Sequence, residues 1–422
     1  MWVRPASVLV LLFCLTVAAD EGTATLDRLL DHPRVLRALG YIESHTQRGR
    51  DELVELNEIP APPFEEGPRG QRYAEMLKST GFGEVTIDEV GNVIARREGV
   101  SRARTVAVLA HLDTVFPADT DVSVAVDGDT FSAPGVGDNT RGLVLLLDVA
   151  RAVVAADLSF EADVMLVGNV GEEGLGDLRG VRHLFRNGAP PINALIAIDG
   201  GAPGRLVDQA VGSNRFRVTF SGAGGHSWGD FGHASPHHAL GTAIDLLHTR
   251  AGPVTREGPR ASFNVGRIGG GTSVNSIAFE SWMEVDLRSA DPEKLAELTE
   301  VFEGAMRDAL VWHNMDRRSG PSLTLALKPI GQRPAGRTDP EAPLLLAAEA
   351  ALRHVGYTVQ RIASSTDANV PMSLGVPAVT ISRGGISGRA HSLEEFWIDK
   401  DTYRSTQAAL LTLAAAAGTG GP

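Results

Sequence analysis

The sequence predicts an α/β protein: a mostly parallel sheet covered by helices, interrupted by a smaller α+β insert. Three observations carry this. Short Val/Ile/Leu/Ala runs bounded by glycine, such as "TVAVLAHLD", "ADVMLVGNV" and "ALIAIDG", read as strands buried on both faces. Helical patterns such as "GLVLLLDVARAVVAA" alternate with them, as a sheet covered on both sides requires. In the middle of the chain, "RFRVTFSG" and "SLTLALKPI" alternate polar and apolar residues, as half-exposed antiparallel strands do. At 422 residues the chain also exceeds the usual limit of one core, so two domains are expected.

The first element is "MWVRPASVLVLLFCLTVAADEG", with one arginine, an apolar run and small residues before Asp20. That is the layout of a cleavable signal peptide over residues 1–19, with a retained N-terminal anchor as the alternative, so the mature protein is expected to be exported, periplasmic or extracellular. The run is short for a bilayer span, and no membrane association is expected after cleavage. Cys14 is the only cysteine and leaves with the signal, which excludes disulfides and cysteine catalysis. Removing Arg4 takes the basic residues from 39 to 38 against 52 acids, so −13 becomes −14. Such a charge argues against nucleic acid or anionic membrane as a partner.

A helical region from about Leu26 to Leu56 follows, then the proline-rich "EIPAPPFEEGPRG" and a helix near Gln71–Lys78. Residues 20–212 form the first part of the α/β domain. The insert, 213–329, holds strands at "RFRVTFSG", "ASFNVGRI", "SIAFESWMEVDLRS" and "SLTLALKPI". Its helices lie at "HHALGTAIDLLHTR" and "DPEKLAELTEVFEGAMRDALVWH". Residues 330–422 complete the α/β domain, and no internal repeat is present.

Five polar spots lie just past apolar strands. They are His111 and Asp113 in "LAHLDTVFP", Asp138 in "GVGDNTRG", Glu172 and Glu173 in "VGNVGEEGLGD", Asp199 in "LIAIDGG", and His391 in "GRAHSLEEF". Ligand sites of open α/β sheets form outside the carboxyl ends of strands, so these residues can converge. Histidines with carboxylates and no cysteine form a nitrogen and oxygen set suited to Zn²⁺, Mn²⁺ or Co²⁺. In extended backbone, residues i and i+2 point the same way, so the Asp113 carboxylate is expected behind His111, accepting its second N–H. Of two adjacent glutamates, one can bind metal while the other carries the proton of a water. Singly, each spot is more readily a turn residue or a solvated pair; together and in order they point to a metal centre.

With these motifs in place, the sequence resembles the M20 family of metallopeptidases. That group includes glutamate carboxypeptidase, peptidase T, succinyl-diaminopimelate desuccinylase, acetylornithine deacetylase and aminoacylase. The resemblance spans almost the whole mature chain, through "IPAPPFEE", "HLDTVFP", "GVGDNTRG", "GEEGLGD", "AIDGG", "GGHS", "GGTSVNSIA", "EVDLRS" and the late "AHS". It implies two divalent metal ions, zinc by default, bridged by Asp138. His111 and Asp199 would hold one, Glu173 and His391 the other. Glu172 would be the general base for the attacking water and Asp113 would orient His111. Asn275 in "TSVNSI" and Arg333 in "IGQRPAG" match positions that contact a substrate carboxylate, a task suited to the arginine fork. The implied reaction is hydrolysis of a peptide or amide bond in a small substrate with a free carboxylate. An exopeptidase comes first, and an N-acyl-amino-acid deacylase on the same machinery is the alternative. The insert would be the family's ferredoxin-like lid, which commonly also forms a homodimer. In dimeric members the histidine of "GGHS", here His226, reaches the partner's site to stabilise an oxyanion.

Two other readings fit parts of the sequence. "GHSWG" fits G-x-S-x-G, which would make Ser227 a serine-hydrolase nucleophile followed in order by Asp367 and His391. A nucleophile elbow opens a helix, however, and "GDFGHASP" opposes one. A metal-free binding protein on the same fold would lack the base, and Glu172 is present. The other histidines of the stretch, His233, His237 and His238, are read as surface or helix-start residues of the insert.

Overall fold

A computed structural model describes residues 21–421. The expected signal peptide falls outside them. Among the described residues no helix is long and apolar enough to cross a membrane. The chain divides into two units, one of residues 21–209 and 337–421, the other of Ala210–Gly336.

The first unit is built on a large mixed sheet. Its centre is four parallel strands in the order Asp163–Asn169, Thr105–His111, Ala194–Asp199 and Ala378–Ser382. Antiparallel strands flank them: Glu84–Ile87 and Val93–Arg97 on one side, Arg205–Ala210 on the other. Thr105–His111 is buried at every position, which is why it reads as an uninterrupted apolar run. The helix Gly142–Ala155 is apolar nearly all round and lies in the core with Pro33–Ser44, Pro343–His354 and Thr402–Ala417. A small sheet of Ala125–Asp127, Thr130–Ser132, Ile386–Gly388 and Phe396–Ile398 adds buried Trp397, tilted against Phe131.

The second unit has its own core, around Phe220, Leu247, Met283, Leu298 and Phe302. Its order is strand, helix, two strands, helix, strand, and its antiparallel sheet runs Ala261–Gly270, Glu280–Ser289, Gly212–Ser221, Thr324–Arg333. That is the ferredoxin-like arrangement. The helices Pro236–Arg256 and Pro292–Asp316 supply the apolar residues that pack on the sheet. Asp291 caps the second helix through the Lys294 N–H at 2.8 Å.

This unit spans 210–336, a few residues beyond the edges at 213 and 329 that the sequence pattern suggests. The last strand does not stop at Pro329. It shifts register there, as an edge strand carrying proline does, and continues until Arg333 pairs with Ser213.

Candidate metal centre and active site

Each central parallel strand delivers a polar residue at its carboxyl end. His111, Asn169 and Asp199 close three of them, and Arg383 stands one position past the fourth. The remaining candidates arrive on loops. Asp138 lies in the distorted turn Val136–Arg141 that opens the helix Gly142–Ala155, and its peptide bond to Asn139 is cis. Glu172 and Glu173 follow Gly171, whose φ of +65° and closeness to Arg179 leave no room for a Cβ. His391 adopts a left-handed φ of +65°, a conformation costly for a side chain and typical of functional positions.

The structure brings all five candidate ligands together. His111 Nε2 lies 3.3 Å from Asp138 Oδ1 and 3.9 Å from Asp199 Oδ1. His391 Nε2 lies 3.0 Å from Glu173 Oε1 and 3.3 Å from Asp138 Oδ2. The two oxygens of Asp138 therefore face two different groups. Donor atoms of His111, Asp138 and Asp199 fall within 4.8 Å of one another, as do those of Asp138, Glu173 and His391. A third such group, His111, Glu172 and Glu173, sets buried Glu172 beside both.

These residues fit a pair of divalent ions. The donors are imidazole and carboxylate only, with no sulfur. Among the described residues buried Asp138 Oδ1 has no hydrogen-bond partner beyond its ion-pair contact with the His111 ring, as a carboxylate oxygen meant for a cation would. The electrostatics agree. Hydrogen bonds to Asp138 and then Glu173 push His391 up to about 10. Burial opposes charge on Asp138, yet the His111 and His391 rings hold its carboxyl well below the usual range. His111 is raised despite its burial, by Asp138 and Asp199. The cluster thus demands positive charge, which divalent ions can supply in place of ring protons.

One expectation is corrected. His111 Nδ1 meets the backbone carbonyl of Asp113 at 2.9 Å, while the nearer carboxylate oxygen stays at 3.8 Å. The carboxylate turns instead to the backbone N–H groups of Glu172, at 3.0 Å, and Glu173, at 2.7 Å. Two buried donors outcompete one ring nitrogen that a nearby carbonyl already satisfies.

Other residues of the site were not singled out beforehand. Glu395 accepts the N–H groups of Gly137, at 3.0 Å, Asp138, at 2.8 Å, and Gly135, at 3.0 Å, and so shapes the Asp138 turn. Burial raises its carboxyl, and those N–H groups pull it back. Arg383, fully buried, places Nη1 3.8 Å from both Asp138 and Asp199. Asn139 ties the same turn to Ile198 O at 2.8 Å. The signals were present: Glu395 in "AHSLEEF" and Arg383 just past "AVTIS".

The second unit holds the other three candidates. Gly225–His226 pairs with Ser276–Ile277, and the Ser227 N–H donates to Asn275 O at 3.0 Å, so His226 and Asn275 are neighbours. Arg333 is only 6% exposed. It ends the strand Thr324–Arg333, nine steps or about 30 Å from the end next to the His226 turn. Within this unit the three are therefore not brought together. Ser227 follows a two-residue strand, and no helix begins before Pro236, so the elbow geometry is absent. His233 Nδ1 sits 3.0 Å from Gly224 O and His237 Nδ1 2.8 Å from Ser281 Oγ, within the second unit.

A parallel-centred α/β sheet with a ferredoxin-like insert and a carboxylate–histidine cluster at its strand ends defines a metal-dependent hydrolase. The sequence profile of peptidase family M20/M25/M40 matches residues 107–416, and the chain belongs to that family. The chain is 25% identical over 286 residues to the succinyl-diaminopimelate desuccinylase of Corynebacterium glutamicum, covering 66% of this chain and 76% of that protein. A tripeptidase from Staphylococcus aureus superposes with a TM-score of 0.71 at 21% identity, over 88% of this chain and 99% of that one. The aminopeptidase PepT from Bacillus cereus does so with a TM-score of 0.70 at 18% identity, over 88% and 99%. These two likenesses establish the fold.

Proposed function

We propose that this protein hydrolyses the peptide or amide bond of a small substrate with a free carboxylate, foremost as an exopeptidase acting on short peptides. The observation that carries the reading is Asp138, whose two oxygens face two donor groups beside a buried glutamate. His111, Asp138 and Asp199 would hold one divalent ion, and Asp138, Glu173 and His391 the other. Bound there, such ions make a water acidic and polarise the scissile carbonyl; zinc is the default for these donors. Glu172 takes the proton of the attacking water and returns it to the leaving amine. Asp113 fixes His111 through its carbonyl, and Glu172 and Glu173 through its carboxylate. Arg333 binds the substrate carboxylate, and Asn275, the neighbour of His226, joins it from a second copy of the chain.

His226 donates a hydrogen bond to the oxyanion. Its distance along the sheet from Arg333 supports a homodimer, because one small substrate cannot span both in a single insert. The N-terminal segment supports action outside the cytoplasm. The desuccinylase relative favours a second reading on the same residues, an N-acyl-amino-acid deacylase. Turnover of dipeptides, tripeptides and N-acyl amino acids by Zn²⁺- or Co²⁺-loaded protein decides between them. Cleavage of none of these by protein carrying both ions refutes the proposal.

A further inference from the structure

The turn after His226 is exposed yet closely bonded. Trp228 at its tip is 88% exposed. The backbone N–H groups of Trp228 and Gly229 both point at His226 Nδ1, at 3.2 and 3.3 Å. The Asp230 carboxylate accepts the His226 backbone N–H at 2.7 Å, and the Asp230 N–H returns to His226 O at 3.0 Å. The next turn continues from the same residue, with the His233 N–H on Asp230 O at 3.1 Å. Gly225, at a φ of +140°, makes room for this clamp: a Cβ there would lie 2.8 Å from the Asp230 side chain.

A neutral imidazole has one N–H and one bare nitrogen. Nδ1 receives two donors and so must be the bare one. We infer that Asp230 is a positioning residue that closes this turn and fixes His226 as the Nε2–H tautomer, making the ring a hydrogen-bond donor and not a base. A general base needs a bare nitrogen toward the substrate, and this ring has spent its bare nitrogen on its own backbone. An oxyanion needs the opposite, an N–H held ready. The donor role rests on the proposed function; the tautomer and the part of Asp230 do not.

The test is nitrogen NMR of the full-length protein with ¹⁵N-labelled histidine near neutral pH, the His226 signals being assigned by their loss in His226→Gln. The expected spectrum has a protonated Nε2 and a bare Nδ1; a protonated Nδ1 overturns the inference. Asp230→Ala is expected to mix the tautomers and to lower kcat on the best substrate of the panel on the order of tenfold to a hundredfold, with KM nearly unchanged. Asp230→Asn, which keeps an acceptor oxygen, recovers most of that loss. Gly225→Ala, which displaces the Asp230 carboxylate, should mix the tautomers too, and serves if Asp230→Ala does not fold. A single unchanged tautomer in these variants refutes the role of Asp230. The stated tautomer together with normal turnover by His226→Ala refutes the donor role alone.

Discussion

Asp113 grips the backbone of Glu172: one carboxylate oxygen takes the Glu172 N–H at 3.0 Å and the other takes the Glu173 N–H at 2.7 Å. A single buried side chain thus sets the candidate base and a candidate ligand together. Asp113→Ala leaves two buried N–H groups without acceptors, at roughly 1–3 kcal/mol each. Denaturant unfolding should show that loss, and metal titration an affinity lower by about tenfold or more. Unchanged stability and affinity refute the clamp.

Glu172→Gln keeps the shape of the side chain and removes its basicity. The variant is expected to hold both ions and to lose turnover by about 10²–10⁴-fold. Metal content by mass spectrometry, set beside kcat, checks this. A near-normal rate refutes the base assignment.

A chelator should abolish hydrolysis and added Zn²⁺ or Co²⁺ should restore it. The two ions are expected to leave in order. His391 is 52% exposed and His111 only 1%, so the ion between Glu173 and His391 exchanges first. His391→Ala should retain one ion per chain. Equal retention of two ions by this variant, or full activity after complete metal removal, contradicts the centre as drawn.

Asp148 predicts a pH dependence of stability. Burial pushes its carboxyl up to about 6, against the pull of Arg141 and Arg151. The folded chain then holds this proton more tightly than the unfolded one. The stabilisation is complete below the unfolded value near 4 and is lost as pH rises through about 6. Asp148→Asn breaks the ion pairs at every pH but does not titrate. From pH 4 to 7 its stability should gain on the natural chain by about 1–3 kcal/mol. Urea unfolding of both metal-free proteins measures the gap, and a gap that narrows in the other direction refutes the effect of burial.

Ser227→Ala is expected to keep most activity, since no nucleophile elbow surrounds it. Complete loss, joined by inactivation with a serine-directed reagent, would falsify the metal reading and revive a serine mechanism.

The donors were legible because their chemistry is carried by residue type at a strand end. His111 and Asp199 each close a buried apolar run, and the run is visible as letters. Asp113 was legible as a partner of the site and illegible in its contacts. Whether a carboxylate two residues along turns to the ring or to a neighbouring loop depends on how near that loop passes. Glu395 and Arg383 were missed for the same reason: their partners lie on the Asp138 turn, more than 240 positions earlier. The far edge of the insert was misplaced because Pro329 looks like an end and is a register shift.

The chain leaves the first unit along Arg205–Ala210 and returns along Gly336–Arg337, and these two strands are neighbours in one sheet, with the Thr338 N–H on Asp208 O at 2.9 Å. Further along the chain, Ala378–Ser382 pairs directly with Ala194–Asp199, a strand from before the insert. Exit and entrance lie side by side, so the whole second unit is spliced in as a hairpin loop would be. A short turn could bridge the gap, and the metal ligands would keep their strands. The segment that supplies His226, Asn275 and Arg333 can therefore change in sequence or length without redrawing the strands that carry the metal ligands.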